Sequence, residues 1–243
     1  MCQRIRFGWW IGESTQYLQK GSQMRKDKSS VIRTYDAIAD DFDETRYKPW
    51  PDTVKFAERF STGQLVLDLG CGNGRDLRFL EEKGIKVIGL DISHKQLEVV
   101  RRRSSSAASV VRGDVTELPF KSGIAHGAIM VATIHHIPEP EERLMALNEA
   151  HRCLLPGGFL LVGVWAAEQP KFKDNMAQAK IEFQHDWVPG DMLLDWKLPD
   201  GRVFKRYYHL FSEKEFDKLL AESEFEVEER FYSAENHYAI LMK

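Results

Sequence analysis

The 243-residue chain is expected to fold as an α/β protein, with a seven-stranded, mostly parallel sheet, an antiparallel last strand, and helices between the strands. Three features predict this. The run Leu65-Val-Leu-Asp68 reads as a buried strand entering a glycine turn at Gly70, Gly72 and Gly74, with a helical pattern of Leu77, Phe79 and Leu80 directly after it. Short apolar runs then alternate with helical segments as far as Val164, which is the pattern of a parallel sheet. The last two apolar segments, Phe225 to Tyr232 and His237 to Met242, lie close enough to form a closing hairpin.

Taken in order, residues 1–30 read as an N-terminal tail, non-native or disordered, and residues 31–243 as the domain. The first 23 residues lack the long apolar stretch and small-residue cleavage site of a signal peptide. Met24 is either the natural start or the end of a loosely attached tail. Tyr35, Ile38, Ala39 and Phe42 lie at i, i+3, i+4 and i+7, which predicts a helix from about Val31 to Thr45. Pro51 can open a second helix carrying Val54, Ala57 and Phe60. The link between these helices, Thr45-Arg-Tyr-Lys-Pro-Trp-Pro51, is stiff, aromatic and basic, and reads first as a connector with a buried Trp.

Strands are expected at Leu65–Leu69, Ile85–Leu90, Ser109–Gly113, Gly127–Ala132 and Gly158–Val164. A helix from about Glu141 to Leu155 separates the last two and is closed by Pro156-Gly-Gly158. After Trp165 come about 35 residues of weak periodicity, read as a lid or substrate wall. Ser212 and Glu215 have capping-box spacing for a helix through about Ala221.

Composition narrows the classes. With 43% hydrophobic residues the chain can bury a sizeable core, and a net charge of -3 provides no global basic field for nucleic acid. Cys2, Cys71 and Cys153 are isolated, which argues against a disulfide framework and a cysteine zinc site. No run of 18 apolar residues occurs, so no membrane span is expected.

The chemistry concentrates at strand ends. The glycines let the backbone approach a ligand closely, and the following helix points its N-terminus at that ligand. Position 75 is Arg, where a dinucleotide loop would carry its third glycine. The resulting Asp68-x-Gly-x-Gly-x-Gly74 pattern resembles the cofactor loop of the class I S-adenosylmethionine (SAM) methyltransferases, whose fold is Rossmann-like. That resemblance implies SAM as cofactor, held by Asp68, Gly70, Gly72 and Asp91, with Asp114 and Val115 near the adenine. Asp91 ends the second strand, where a carboxylate can accept both ribose hydroxyl protons.

A narrower resemblance rests on Tyr35-Asp-x-Ile-Ala39, Thr45-Arg-Tyr-Lys-Pro-Trp-Pro51, the pair His135-His136, Trp165-x-x-Glu-Gln169 and Arg206-Tyr-Tyr-His-Leu-Phe211, in that order. Over residues 31–243 the chain is similar to the tRNA wobble-uridine 5-carboxymethyl methyltransferases. It departs from them in the short segment between Gln169 and Arg206, and its 243 residues contain no RNA-recognition or oxygenase domain such as some animal versions carry. The resemblance implies esterification of the carboxylate of 5-carboxymethyluridine in cytoplasmic tRNA, and a small zinc-ribbon activator subunit as partner. Such a carboxylate is already ionised at neutral pH, so the reaction requires orientation rather than a general base.

Arg46, His135, His136 and Arg206 are the candidates for that orientation, as cationic donors. Adjacent histidines on an extended segment point apart, so one of the pair is expected to reach the substrate. With no third ligand at suitable spacing, no metal site is expected. Trp165, Tyr207 and Tyr208 are candidates to stack on a base, with buried packing as the alternative for each. Two other functions fit the same motifs: a small-molecule O-methyltransferase acting on a quinone precursor or carboxylic acid, and a non-catalytic SAM-binding subunit.

Overall fold

The computed structural model describes residues 25–103 and 109–243; the expectations for residues 1–24 lie outside the described residues. Helix α1 (Lys28–Thr45) starts three residues before the expected point, because Asp27 caps it by accepting from the Ser30 N–H at 2.7 Å. Asp27 through Ser30 thus form the capped first turn of α1. Helix α2 (Pro51–Phe56) has its proline in the first turn and tightens into a 3₁₀ turn at Ala57–Arg59. It buries Thr53, Phe56 and Ala57, leaving Val54 and Phe60 only half-buried.

Next come β1 (Leu65–Leu69), α3 (Arg75–Glu82), β2 (Lys86–Asp91), α4 (His94–Arg103), β3 (Ser109–Arg112) and β4 (Ala125–Val131). Helix α5 (Pro140–Cys153) ends two residues short of the expectation, and β5 (Leu154–Trp165) begins at once, running through Pro156-Gly-Gly158. Then follow α6 (Lys173–Phe183), β6 (Asp191–Lys197), β7 (Val203–His209), α7 (Glu213–Glu222), β8 (Glu226–Ser233) and β9 (Asn236–Met242). The Ser212 hydroxyl caps α7 by accepting from the Glu215 N–H at 3.2 Å; the Glu215 carboxylate instead accepts a bond from His209 at 2.7 Å.

The seven-stranded sheet has the order β3-β2-β1-β4-β5-β9-β8. Strands β1 to β5 pair in parallel, and β9 runs antiparallel to both β5 and β8, as the closing hairpin requires. Successive connections lead away from β1 to one side and from β4 to the other. The crevice between the carboxyl ends of β1 and β4 is therefore the topological switch point at which such sheets bind ligands. Leu67, Val66, Ile129, Leu161 and Leu160 are all fully buried in the two helix-covered faces of the sheet.

The stretch after β5 departs most from expectation. Instead of aperiodic chain it forms α6 and an antiparallel β6–β7 hairpin, which pairs Leu194 with Arg206 and Trp196 with Phe204. Helix α6 buries Ala179 and Phe183, four residues apart, against Leu193 and Tyr207. The other face of the hairpin brings Trp196 against Ile38 of α1. Because both faces are covered, the apolar run Met192-Leu-Leu194 has no alternation to detect. The segment is packed and also walls the site.

Burial at the sheet centre yields a stability contrast. Leu67→Ala should lower unfolding free energy by about 2–5 kcal/mol, whereas Val227→Ala, at 44% exposure on edge strand β8, should stay within about 0.5 kcal/mol of the parent. Urea denaturation of both variants measures the difference.

Candidate active site

The turn after β1 organises the site. The N–H groups of Gly70 and Cys71 both donate to the Leu90 carbonyl, at 2.7 and 2.9 Å, and tie the loop to the end of β2. Gly70 has φ +85°, and a Cβ there would lie 2.3 Å from the Thr133 hydroxyl oxygen at the end of β4. Asp91 is thereby brought under the loop. Its two carboxylate oxygens accept the N–H of Gly72 and of Ser93, each at 2.8 Å, leaving lone pairs for further donors. Burial raises its pKa to about 6 against the pull of those two N–H groups.

Asp68 is 5% exposed, and its Oδ2 has no hydrogen-bond partner. Burial, together with the nearby Asp76 and Asp91, pushes its carboxyl well above the usual range. A buried acid in that state calls for a cation or a donor, and SAM offers both in its ammonium and sulfonium groups. With the close-approach glycine loop and Asp91 at the β2 end, the residues fit this cofactor, which Asp68, Gly70, Gly72 and Asp91 would hold. Asp114 and Val115 line the same cavity of about 190 Å³. Burial works against ionisation of Asp114, yet Lys28 at 2.8 Å and the Thr116 N–H hold its pKa below the usual value. Lys28 also reaches Glu142 at 2.9 Å, so α1 is clipped across this end of the cavity.

The two histidines lie on a 3₁₀ turn, Ile134–His136, and not on extended chain. Their rings are 4.5 Å apart, and both line the cavity, which corrects the expectation that they diverge. Each is held neutral rather than cationic: burial pushes His135 well below its usual pKa and His136 down to about 3. His136 donates from Nδ1 to the Tyr207 carbonyl and accepts from the Tyr35 hydroxyl at Nε2, both at 2.9 Å. His135 accepts the Trp165 N–H at Nδ1, at 3.3 Å, so its proton sits on Nε2. That fully buried Nε2 has no partner.

Arg206, at 6% exposure, is the other buried donor. It donates to the Tyr208 hydroxyl at 2.7 Å and its Nε has no partner. Among the described residues no acid pairs with it. Its guanidinium lies 4.6 Å from the Trp196 ring centroid, and that of Arg46 lies 5.4 Å from the same ring. Arg46 itself is exposed and bonds only its neighbour's carbonyl, at 3.2 Å. Asn73, inside the glycine loop, holds the Arg46 carbonyl at 2.6 Å and the Asp43 carboxylate at 2.9 Å, joining the α1 end to the cofactor turn.

The expected stacking residues divide. Arg206 and Tyr208 lie two apart on β7 and both face the cavity, whereas Tyr207 points the opposite way. Tyr207 is 1% exposed and donates to Asp191 at 2.7 Å in a buried cluster with His209, so it is a packing residue and not a base-stacking one. Trp165 lines the cavity, but Phe172 and Tyr208 are both already stacked on it, at 5.5 and 4.6 Å. Tyr35, Trp50, Arg75 and Trp196, none of them expected at the site, also lie in or against the cavity. A signal existed for Arg75, the residue that breaks the dinucleotide pattern; it sits 4.4 Å over the Trp50 ring. Cys71 and Cys153 are buried free thiols, and no cluster of three metal-ligating side chains occurs among the described residues.

The ionisation of Asp91 is expected to make cofactor binding pH-dependent. Its carboxyl carries a proton below about 6 and is a full acceptor above that value, so SAM affinity should fall as pH drops through 6. Asp91→Ala should weaken SAM binding by roughly 1.5–3 kcal/mol and abolish that inflection. Calorimetry at several pH values checks both outcomes; unchanged affinity in a folded variant would remove Asp91 from the cofactor site.

A profile described as a methyltransferase domain matches residues 67–162. The chain is 33% identical over 214 residues to a putative methyltransferase of Encephalitozoon cuniculi, covering 88% of this chain and 95% of that protein. It is similar to proteins named tRNA (carboxymethyluridine(34)-5-O)-methyltransferase from Arabidopsis thaliana, at 38% identity over 68% of this chain, and from Schizosaccharomyces pombe, at 29% over 91%. It spans only 40% of the Arabidopsis protein but 99% of the yeast one. Among solved structures, a SAM-dependent methyltransferase of Methanosarcina mazei shares the fold with a TM-score of 0.66 at 21% identity, over 81% of this chain and 98% of that one. A putative methyltransferase solved in complex with the Haloferax volcanii Trm112 methyltransferase activator has a TM-score of 0.58 at 18% identity, over 86% and 96%. No described helix is long and apolar enough to cross a membrane. With a switch-point cavity whose residues fit SAM and a 33%-identical methyltransferase relative along nearly its full length, the chain belongs to the class I SAM-dependent methyltransferases.

Proposed function

We propose that this methyltransferase esterifies the carboxylate of 5-carboxymethyluridine at the wobble position of tRNA. One observation carries the substrate class: two buried donors without partners, the Nε of Arg206 and the Nε2 of His135, belong to residues that line one cavity, and no acid neutralises the arginine among the described residues. A buried cation and a buried N–H left bare are costly unless a ligand anion completes them. A carboxylate suits both, taking a charged donor from Arg206 and a neutral one from His135. The names of the Arabidopsis and yeast relatives support the uridine and the tRNA.

The residues match the demands of this chemistry. When bound, SAM supplies an electrophilic methyl on a sulfonium, the carboxylate oxygen takes it, and the bonding pair remains on sulfur, so no proton moves. No general base is called for, in keeping with two histidines too weakly basic to hold a proton near neutral pH. Arg206, His135 and Arg46 orient the acceptor, while Tyr208, Trp165 and the α1 residue Tyr35 wall the cavity and exclude water. Neutral His135 adds direction without adding charge that would blunt the nucleophile.

A small activator subunit of the zinc-ribbon type belongs to this proposal, as does a site of action on cytoplasmic tRNA. The structural neighbour solved with Trm112 supports the partner. So does the net charge of -3, which leaves phosphate contacts to local patches or to a second protein. Co-expression with such an activator should raise solubility and tRNA methylation; full activity of the soluble chain alone would rule the requirement out.

Methyl transfer to purified tRNA, to small carboxylic acids or to neither separates the tRNA enzyme from a small-molecule O-methyltransferase and from a non-catalytic subunit. Nucleoside mass spectrometry of tRNA from cells with and without the protein tests the assignment in vivo. Arg206→Ala should lower kcat/KM by roughly 10- to 100-fold while leaving SAM affinity intact, as loss of a charged donor implies. Arg206→Lys should not restore activity, because the fork of N–H donors is lost. Wild-type turnover by Arg206→Ala would show the acceptor site to lie elsewhere.

A further inference from the structure

Trp196 lies in the stretch where the sequence shows little periodicity, yet it packs against both arginines proposed for the acceptor site. The residue is 8% exposed, and its indole is fixed by a hydrogen bond from Nε1 to the Asp41 carboxylate at 2.6 Å. Phe42 of α1 packs against the ring at 5.6 Å. The guanidinium groups of Arg206 and Arg46 sit against the same ring, at 4.6 and 5.4 Å. One of these arginines comes from β7 and the other from the end of α1, so the indole joins two separate walls of the cavity.

Physical chemistry gives that contact a task. Two like charges near one another repel, and a mostly buried guanidinium without an acid has lost much of its hydration. An aromatic face compensates for lost hydration without neutralising the charge, unlike a carboxylate partner. Asp41 accepts from the indole N–H rather than from either arginine, so it fixes the ring and leaves both cations available. The Arg206 guanidinium also lies 5.3 Å from the Tyr208 ring centroid, and the Tyr208 hydroxyl accepts one of its N–H groups at 2.7 Å, which leaves Nε without a partner.

We propose that Trp196, locked by Asp41, is a positioning residue that holds the guanidinium groups of Arg46 and Arg206 in place at the cavity, and so sets the preference for an ionised carboxylate over a neutral acceptor. This rests on the carboxylate-methylation reading for its substrate arm, and on geometry alone for its second arm. The substrate arm uses an anticodon stem-loop RNA carrying 5-carboxymethyluridine, together with the same RNA carrying the uncharged carbamoylmethyl group as a competitive inhibitor. Discrimination is the ratio of the amide's inhibition constant to the carboxylate's KM. Trp196→Leu should reduce that ratio by about tenfold, and Asp41→Ala, which leaves the ring in place but unlocked, by about threefold. Trp196→Phe, which keeps an aromatic face, should stay within about threefold of wild type. SAM affinity should be unchanged in all three variants. A merely structural role would weaken both RNAs alike, so a folded Trp196→Leu variant with the wild-type ratio overturns the proposal.

The second arm needs no substrate. In ¹⁵N-arginine NMR spectra the Arg206 Nε–H should be protected in the wild type and in Trp196→Phe, and should exchange at least about tenfold faster in Trp196→Leu. Equal protection in Trp196→Leu overturns the positioning role. Failure of the wild type to methylate the carboxymethyl RNA would instead overturn the substrate reading, with the exchange measurement still deciding the role of Trp196.

Discussion

The chain must leave β1 and enter α3 within a few residues, at the point where β1 is flanked by β2 on one side and β4 on the other. Only a backbone without a side chain fits there: Gly70 lies in the left-handed region, and a Cβ would run into Thr133. Much else follows from that turn. It draws Asp91 against the Gly72 N–H, places Asp68 in a dry position, and presents Asn73 to the end of α1. Through Asn73, the loop that shapes the cofactor cavity also sets where Arg46 emerges. Cofactor site and acceptor wall are thus parts of one hydrogen-bonded assembly.

The cavity gathers both signs of charge. Asp68, Asp76 and Asp91 crowd the glycine turn, with Arg75 3.7 Å from Asp76, and burial drives all three carboxyls upward in pKa. Arg206, Arg46 and two neutral histidines line the same cavity. The protein alone does not satisfy every polar atom there, as the bare oxygen of Asp68 and the bare nitrogens of His135 and Arg206 indicate. In the proposed reaction a cationic methyl donor meets an anionic acceptor, and both products are neutral at the reacting atoms. A dry cavity strengthens the attraction between the reactants and has less hold on the products. Neutral histidines fit that arrangement, since added positive charge would lower the nucleophilicity of the carboxylate.

The β6–β7 hairpin is the clearest case of structure that local sequence did not reveal. Strand alternation can be read from sequence when one face meets water, but this hairpin is covered by α6 on one face and by α1 with the cavity on the other. The same alternation then separates Arg206 and Tyr208 from Tyr207, three consecutive residues that composition alone cannot tell apart. Histidines 135 and 136 posed a similar problem. A 3₁₀ turn rather than an extended strand end follows β4, so both rings enter the cavity, and only their hydrogen-bond partners distinguish them.

What the sequence determined by itself was local in origin. A strand, a glycine turn and a helix in immediate succession specify the cofactor loop, because positive φ and close backbone approach restrict which residues can stand there. Asp91 and Asp114 stand just at or beyond strand ends, as the segment pattern predicts, and the parallel sheet follows from alternating apolar segments. The tertiary structure alone decided which cations share a wall, which histidine keeps a free N–H, and which carboxyls lose water. Those properties depend on contacts between residues far apart in the chain, such as Asp41 with Trp196 and Tyr35 with His136. Burial and hydrogen bonding set charge state and direction, and neither is encoded in the spacing of residues along one segment.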